Sequence, residues 1–295
     1  MLKRRRFRLQ LPSHKLALGE QTLVMGVLNV TPDSFSDGGD FLDARRAIER
    51  ALEMERAGAD LIDVGGESTR PGSAETPVET ELARILPVLE GLRGKLKIPV
   101  SVDTRKAQVA EAAIAAGAQI INDVSGLRYD PRLAQVAARL GVPLILMHMR
   151  GEPLTMQKKP FARDVMKDVT SGLRVSSKKA LAAGVRKSQI ILDPGIGFGK
   201  SFEQNYELLR KLPELAKLGY PLLVGTSRKG FLSATVARDG NAASPAERLW
   251  ATAATVTASI LGGAHVVRVH DVAEMAQVAR AADCVLDAGV CRSFR

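Results

Sequence analysis

The sequence predicts an α/β fold, a single (β/α)8 TIM barrel entered through a short N-terminal hairpin. Three observations predict it. Short apolar runs alternate with helix-patterned stretches eight times along the chain. Those runs are apolar throughout, as parallel strands covered on both faces must be. The 295 residues contain no linker or low-complexity tract and match the length of one such barrel. A doubly wound sheet is the alternative, but it rarely needs so many even repeats.

The elements follow in order. Residues 1–22 alternate weakly and include Gly19-Glu20, which reads as a leading hairpin. The barrel is assigned to residues 23–289 and a tail to 290–295. Its first strand, from Val24, delivers Asn29 to its end, and a loop rich in Pro, Gly, Ser and Asp hangs beyond. Helix is expected over 42–57, with Ala44, Ile48, Ala51 and Leu52 on one face and Gly58 as the stop. The remaining strands are expected at 61–64, 100–104, 120–123, 144–148, 190–193, 222–225 and 265–270. The helices between and after them are expected at 78–92, 106–116, 131–140, 164–183, 203–218, 246–261 and 272–287. Residues 150–162 read as a long βα loop.

Composition excludes several classes. No apolar run approaches the ~18 residues of a membrane span. The basic start, Met1 to Arg6, is followed by no apolar stretch, so it is not a secretory signal. Cys284 falls in a helix and Cys291 in the tail, so neither reads as a disulfide framework or a zinc ligand. These features predict a cytoplasmic protein. The formal charge of +10 raises nucleic acid as a partner. Yet the cations are scattered, and at 4% aromatics the chain offers few stacking platforms, so no nucleic acid is expected.

In such a barrel the chemistry lies at the C-terminal ends of the strands. That ring reads Asn29, Asp63, Asp103, Asn122-Asp123, His148, Asp193, Ser227-Arg228-Lys229, Arg268 and His270. Single Asp and Asn residues are ordinary caps. However, Asn29, Asp103, Asn122 and Asp193 each follow apolar strand residues directly, where no helix begins. A desolvated carboxylate needs donors, and a heterocycle edge bearing an amine beside a ring N–H offers a bidentate match. Arg268 and His270 lie two apart on one strand and so share a face. With Asn29 they suit a diphosphate and a hard divalent ion. The Gly195–Ser201 run ends like a phosphate loop, but Pro194 stands where its first glycine belongs. It reads as a flexible loop whose Phe198 covers a flat ring. His148 reads as a satisfied strand-end histidine.

These segments resemble the dihydropteroate synthase family. The resemblance runs from Leu23 to about Met275 and rests on long blocks in complete order. They are the stretches 25–39, 63–72, 101–104, 121–124, 192–195, 225–231 and 268–271. The family implies a dimeric TIM barrel that joins p-aminobenzoate to a dihydropterin methyl diphosphate, using Mg²⁺. It implies Asn29 and Asp37 at the metal, and Asp103, Asn122, Asp193 and Lys229 on the pterin. It implies Arg268 and His270 on the diphosphate, and Thr69, Arg70 and Pro71 near the aminobenzoate. Phe35 and Asp37 would close over the site from the first loop. Lys229, Arg268 and Asp193 are the expected catalytic group. Sulfonamide sensitivity and a homodimer are further family expectations.

Two rivals remain at this level. A pterin-dependent methyltransferase domain would not need the Ser-Thr-Arg-Pro loop or the Arg268–His270 pair. A non-catalytic pterin-binding paralogue would keep the pocket without turnover.

Overall fold

The computed structural model describes residues 4–31, 40–68, 72–152, 155–156, 160, 162–237, 241–287 and 289–291. Eight parallel strands form one sheet in the order β8-β7-β6-β5-β4-β3-β10-β9. They are β3 (Leu23–Asn29), β4 (Leu61–Gly65), β5 (Val100–Asp103), β6 (Ile120–Asp123), β7 (Leu144–Met147), β8 (Ile190–Asp193), β9 (Leu223–Val224) and β10 (Val266–Val269). A parallel bridge between Leu192 and Leu222 joins the two ends of that order, so the sheet closes. Closure with neighbours in chain order excludes the doubly wound alternative.

Ten helices surround the strands among the described residues: α1 (Asp40–Arg56), α2 (Val78–Leu92), α3 (Ala107–Ala116), α4 (Arg132–Leu140), α5 (Val165–Ala182), α6 (Phe202–Arg210), α7 (Leu212–Ala216), α8 (Gly230–Val236), α9 (Leu249–Leu261) and α10 (Val272–Leu286). Two departures from expectation stand out. The helix expected over 203–218 breaks at Lys211, where Pro213 begins a new short turn. The stretch after β9 also holds α8, which Gly230 opens and whose apolar content is too short to show a period.

The leading hairpin pairs β1 (Phe7–Gln10) with β2 (Lys15–Leu18). Its turn lies at residues 11–14, where the Leu11 amide donates to the His14 carbonyl, and not at Gly19-Glu20. Leu9, Leu11 and Leu18 of this hairpin pack with Met25, Leu61, Ile120, Ile145, Ile191, Leu223 and Val266, the inward residues at the start of the strands. The hairpin therefore closes the floor of the barrel. A second, larger apolar layer fills the space between strands and helices.

One expectation is overturned at the C-terminus. Cys284 and Cys291 form a disulfide. Helix α10 ends at Leu286, and the Val290 amide then donates to the Asp287 carbonyl, so the chain turns back toward Cys284. Sequence position alone placed the two in separate elements. No described helix is long and apolar enough to cross a membrane.

Candidate active site

Side chains two apart on a strand share a face. In each strand the residue two beyond the floor layer is therefore the next to face inward. These next residues are Val27, Asp63, Asn122, Met147, Asp193, Gly225 and Arg268, with Ser101 beside them on β5. The barrel thus changes from apolar to polar in one step toward its C-terminal mouth. Above lie Asn29, Asp103 and His270. They line a cavity of about 630 Å³ with Asn122, Asp193, Phe198, Lys229 and Arg268. Thr69, Arg70 and Pro71, together with Phe35 and Asp37, lie outside the described residues.

Asp63 is the centre of the polar layer, although the strand-end reading gave it no role. It is fully buried. Its Oδ1 accepts the Ser101 hydroxyl, and its Oδ2 accepts Asn122 Nδ2 at 3.0 Å and Arg268 Nε at 2.6 Å. The carboxylate fixes the Asn122 amide, turning its nitrogen inward and leaving its oxygen as an acceptor. Arg268 Nη2 donates to Asp103 at 2.8 Å. Burial opposes the charge on Arg268, but Asp63 and Asp103 outweigh it and raise its pKa. Gly65 and Gly225 flank this fork, next to Asp103 and Arg268.

Asp103 and Asp193 are both pushed up, to about 7 and about 6, chiefly by burial. For Asp103 the neighbouring Arg268 opposes the rise. Asp193 Oδ1 accepts the Gly195 amide at 2.7 Å, and its other oxygen has no hydrogen-bond donor among the described residues. Lys229 is lowered to about 8 by burial and then by Arg268. Its ammonium lies 3.9 Å from the centroid of the Phe198 ring, a cation–π distance. The turn that aims Lys229 depends on Arg228, which holds a left-handed φ of 59° and is tied by Asp271 through Nε at 3.0 Å.

His270 is lowered to about 3 by burial and then by Arg268, so it is a neutral imidazole. Ser227 Oγ accepts the His270 amide at 3.1 Å and lies 3.0 Å from Nδ1. The direction of the Nδ1 contact follows the imidazole tautomer. His270 faces the cavity as a neutral ring.

The Gly195–Ser201 loop is held by hydrogen bonds to its neighbours. Gly195, Gly197 and Gly199 all have left-handed φ values. The Gly197 amide donates to Asn205 Oδ1 at 2.6 Å. Lys200, which sequence reading left without a role, is buried at the base of the loop. Its only signal was an apolar neighbourhood around a single lysine.

The pterin binding enzyme family profile matches residues 25–270. The dihydropteroate synthase of Synechocystis sp. is 48% identical over 267 residues, covering 90% of this chain and 91% of its own. The chain belongs to the dihydropteroate synthase family. Two solved structures of Xanthomonas albilineans dihydropteroate synthase share its fold. One, with 4-aminobenzoic acid, superposes with a TM-score of 0.88 at 40% identity, covering 96% of this chain and 99% of that one. The other, in complex with 7,8-dihydropteroate, gives 0.84 at 39% identity, covering 95% and 99%. Relatives 48% and 46% identical over more than nine-tenths of the chain are dihydropteroate synthases, which disfavours the methyltransferase rival.

Proposed function

We propose that this chain joins p-aminobenzoate to a dihydropterin methyl diphosphate, giving dihydropteroate and diphosphate in folate biosynthesis. The observation that carries this reading is the convergence of unlike groups in one cavity. Buried carboxylates, an amide, an arginine and a histidine line it together. The ligands named for the Xanthomonas albilineans proteins, 4-aminobenzoic acid and 7,8-dihydropteroate, are the acceptor and the product of this reaction.

Asp193 receives the amine and ring N–H of the pterin edge, one on each carboxylate oxygen, and the Asn122 oxygen accepts a further ring donor. Phe198 covers one face of the bicycle, and Lys229 supplies a donor to its carbonyl side. Arg268 keeps Nη1 for the diphosphate while Asp63 and Asp103 hold the rest of its fork. His270 gives a hydrogen bond from Nε2, and an anion beside it raises its pKa toward protonation. These donors stabilise charge as it gathers on the leaving diphosphate. Ionised Asp103 and Asp193 favour the positive charge that spreads over the electron-rich pterin. The neutral aromatic amine then attacks the methylene carbon, and no strong base is needed.

Magnesium fits the residues present. It takes hard oxygen ligands, keeps several waters, and is bound through few protein groups plus substrate phosphates. Asn29 offers one such oxygen at the cavity edge. No cluster of three acidic, histidine or cysteine ligands occurs among the described residues, as expected for an ion held mainly by its substrate. Asn29, with Asp37 from the first loop, would hold it. The ion supplies Lewis-acid neutralisation of diphosphate charge. The family resemblance assigns Thr69, Arg70, Pro71 and Phe35, which lie outside the described residues, to contact with the aminobenzoate. The family resemblance also supports a cytoplasmic homodimer.

The test is a coupled assay of diphosphate release. With Mg²⁺, the pterin diphosphate and p-aminobenzoate, the chain is expected to release diphosphate and form dihydropteroate in equal amounts. Pterin binding without turnover would favour the non-catalytic paralogue instead.

A further inference from the structure

Two features remain outside the chemistry above: His148, and the glycine-rich loop that resembles a phosphate loop without being one. They meet at Lys200. The Lys200 side chain is buried, and its Nζ lies 3.1 Å from His148 Nδ1, 3.0 Å from the His148 carbonyl and 3.0 Å from the Phe198 carbonyl. An ammonium has three protons and no acceptor. Burial lowers the Lys200 pKa to about 7. In its charged form all three protons go to these acceptors, so Nδ1 accepts and the His148 proton sits on Nε2. That nitrogen lies 3.7 Å from Asp168 Oδ2 on α5. Burial, then Lys200, holds the imidazole far below its usual range, consistent with a neutral acceptor.

The fit around this group is close. A Cβ on Gly195 would lie 1.9 Å from the His148 carbonyl oxygen, and one on Gly199 would lie 2.1 Å from the Arg150 carbonyl oxygen. Gly172 on α5 leaves space for the imidazole, since a Cβ there would lie 2.5 Å from His148 Cδ2. The loop thus lies close against the end of β7, and the Phe198 ring is among the groups it presents to the cavity. The Phe198 amide donates back to the Gly195 carbonyl at 3.1 Å.

We propose that Lys200, seated on neutral His148, is a positioning residue that sets the Phe198 ring at stacking height over the pterin and opposite Lys229. It touches no reacting atom. It acts by holding the Phe198 carbonyl, so the ring keeps one orientation before substrate arrives. The glycine-rich loop then has a purpose different from phosphate binding. Its lysine points away from the diphosphate and into the scaffold. This inference rests on the pterin reading of the cavity.

The experiment is a double-mutant cycle on the full chain. Binding of a bare pterin is measured by calorimetry for the parent, Lys200→Met, Phe198→Ala and the double variant. KM for p-aminobenzoate is measured at saturating pterin diphosphate. Lys200→Met is expected to weaken pterin binding at least about tenfold, the scale of one lost oriented contact, with KM for p-aminobenzoate within about twofold. In the Phe198→Ala background the same change is expected to add almost nothing, because coupled residues are not additive. Additive losses, or unchanged pterin affinity in Lys200→Met, would overturn the proposal. Should Lys200→Met not fold, His148→Leu removes one of the three acceptors and is expected to weaken pterin binding in the same direction. An unchanged affinity there overturns the proposal equally. If the parent chain binds no pterin, the reading of the cavity falls, and this inference with it.

Discussion

Arg268 donates its Nε–H to Asp63 at 2.6 Å across the barrel mouth, from β10 to β4 with β3 between them. Neither side chain is simply a substrate contact. Asp63 holds Arg268 and Asn122 at once. Removing Asp63 leaves Arg268 only Asp103, and removing Arg268 leaves Asp63 only neutral donors.

The two residues are therefore expected to fail differently. Arg268→Ala should weaken binding of the diphosphate substrate far more than binding of the bare pterin. It should also cost about 3–5 kcal/mol of stability, the usual result of breaking one side of a buried pair. Asp63→Asn should weaken both ligands, since it disturbs Arg268 and Asn122 together. Calorimetry with each ligand, plus urea unfolding, checks this. Equal losses for both ligands in Arg268→Ala would remove its assignment to the diphosphate.

Asp193 gives a pH prediction. Its folded pKa is raised to about 6 from 3.8, chiefly by burial. Under the proposed function the ionised form accepts the pterin edge. Pterin affinity should thus be highest above pH 6 and fall about tenfold per pH unit well below it, one proton being taken up. For stability the sign is opposite. A raised carboxylate pKa means the fold binds the proton more tightly, so this group's contribution is lost as pH rises from about 4 through 6. Titrating bare-pterin binding between pH 5 and 8 checks the first claim, and in Asp193→Asn the break near 6 should vanish.

The floor of the barrel should separate stability from catalysis. Leu9 and Leu11 are each 1% exposed and pack against the first inward layer. Leu9→Ala is expected to cost about 2–5 kcal/mol, as buried leucine truncations do. Yet it lies on the far side of that layer from Asp193 and Arg268. The midpoint of urea unfolding should fall, while kcat/KM at low temperature stays within about twofold.

Gly195 should tolerate no side chain. Its φ is +66°, and an added Cβ would overlap the His148 carbonyl. Gly195→Ala should lower stability by about 1–3 kcal/mol and weaken pterin binding by lifting the loop, measured as a lower Tm together with a higher Kd for pterin.

Sulfonamides should compete with p-aminobenzoate and not with the pterin diphosphate. Steady-state inhibition with each substrate varied in turn checks this, and a mixed pattern against p-aminobenzoate would argue for a separate site.

Much of this architecture was legible in the residues. The strands appeared as continuous apolar runs, and the two-residue spacing put Arg268 and His270 on one face. Other features carried no local signal. Asp63 reads as one more strand-end carboxylate, because its partners on β5, β6 and β10 come from 38 to 205 residues away. Helix α8 spans Gly230–Val236, two turns at most, too short for a period to register. The hairpin turn at 11–14 lacks glycine, so Gly19-Glu20 drew the eye instead. The Gly195–Ser201 loop looked mobile because glycine usually signals freedom. Here each glycine permits a close approach, and the buried Lys200 ammonium supplies the restraint.

The hairpin packs beneath the first inward layer, so among the described residues the cavity lies at the opposite end of the barrel. If the proposed function holds, both substrates and the product would share that end, and a molecule lodged at its rim would obstruct entry and exit alike.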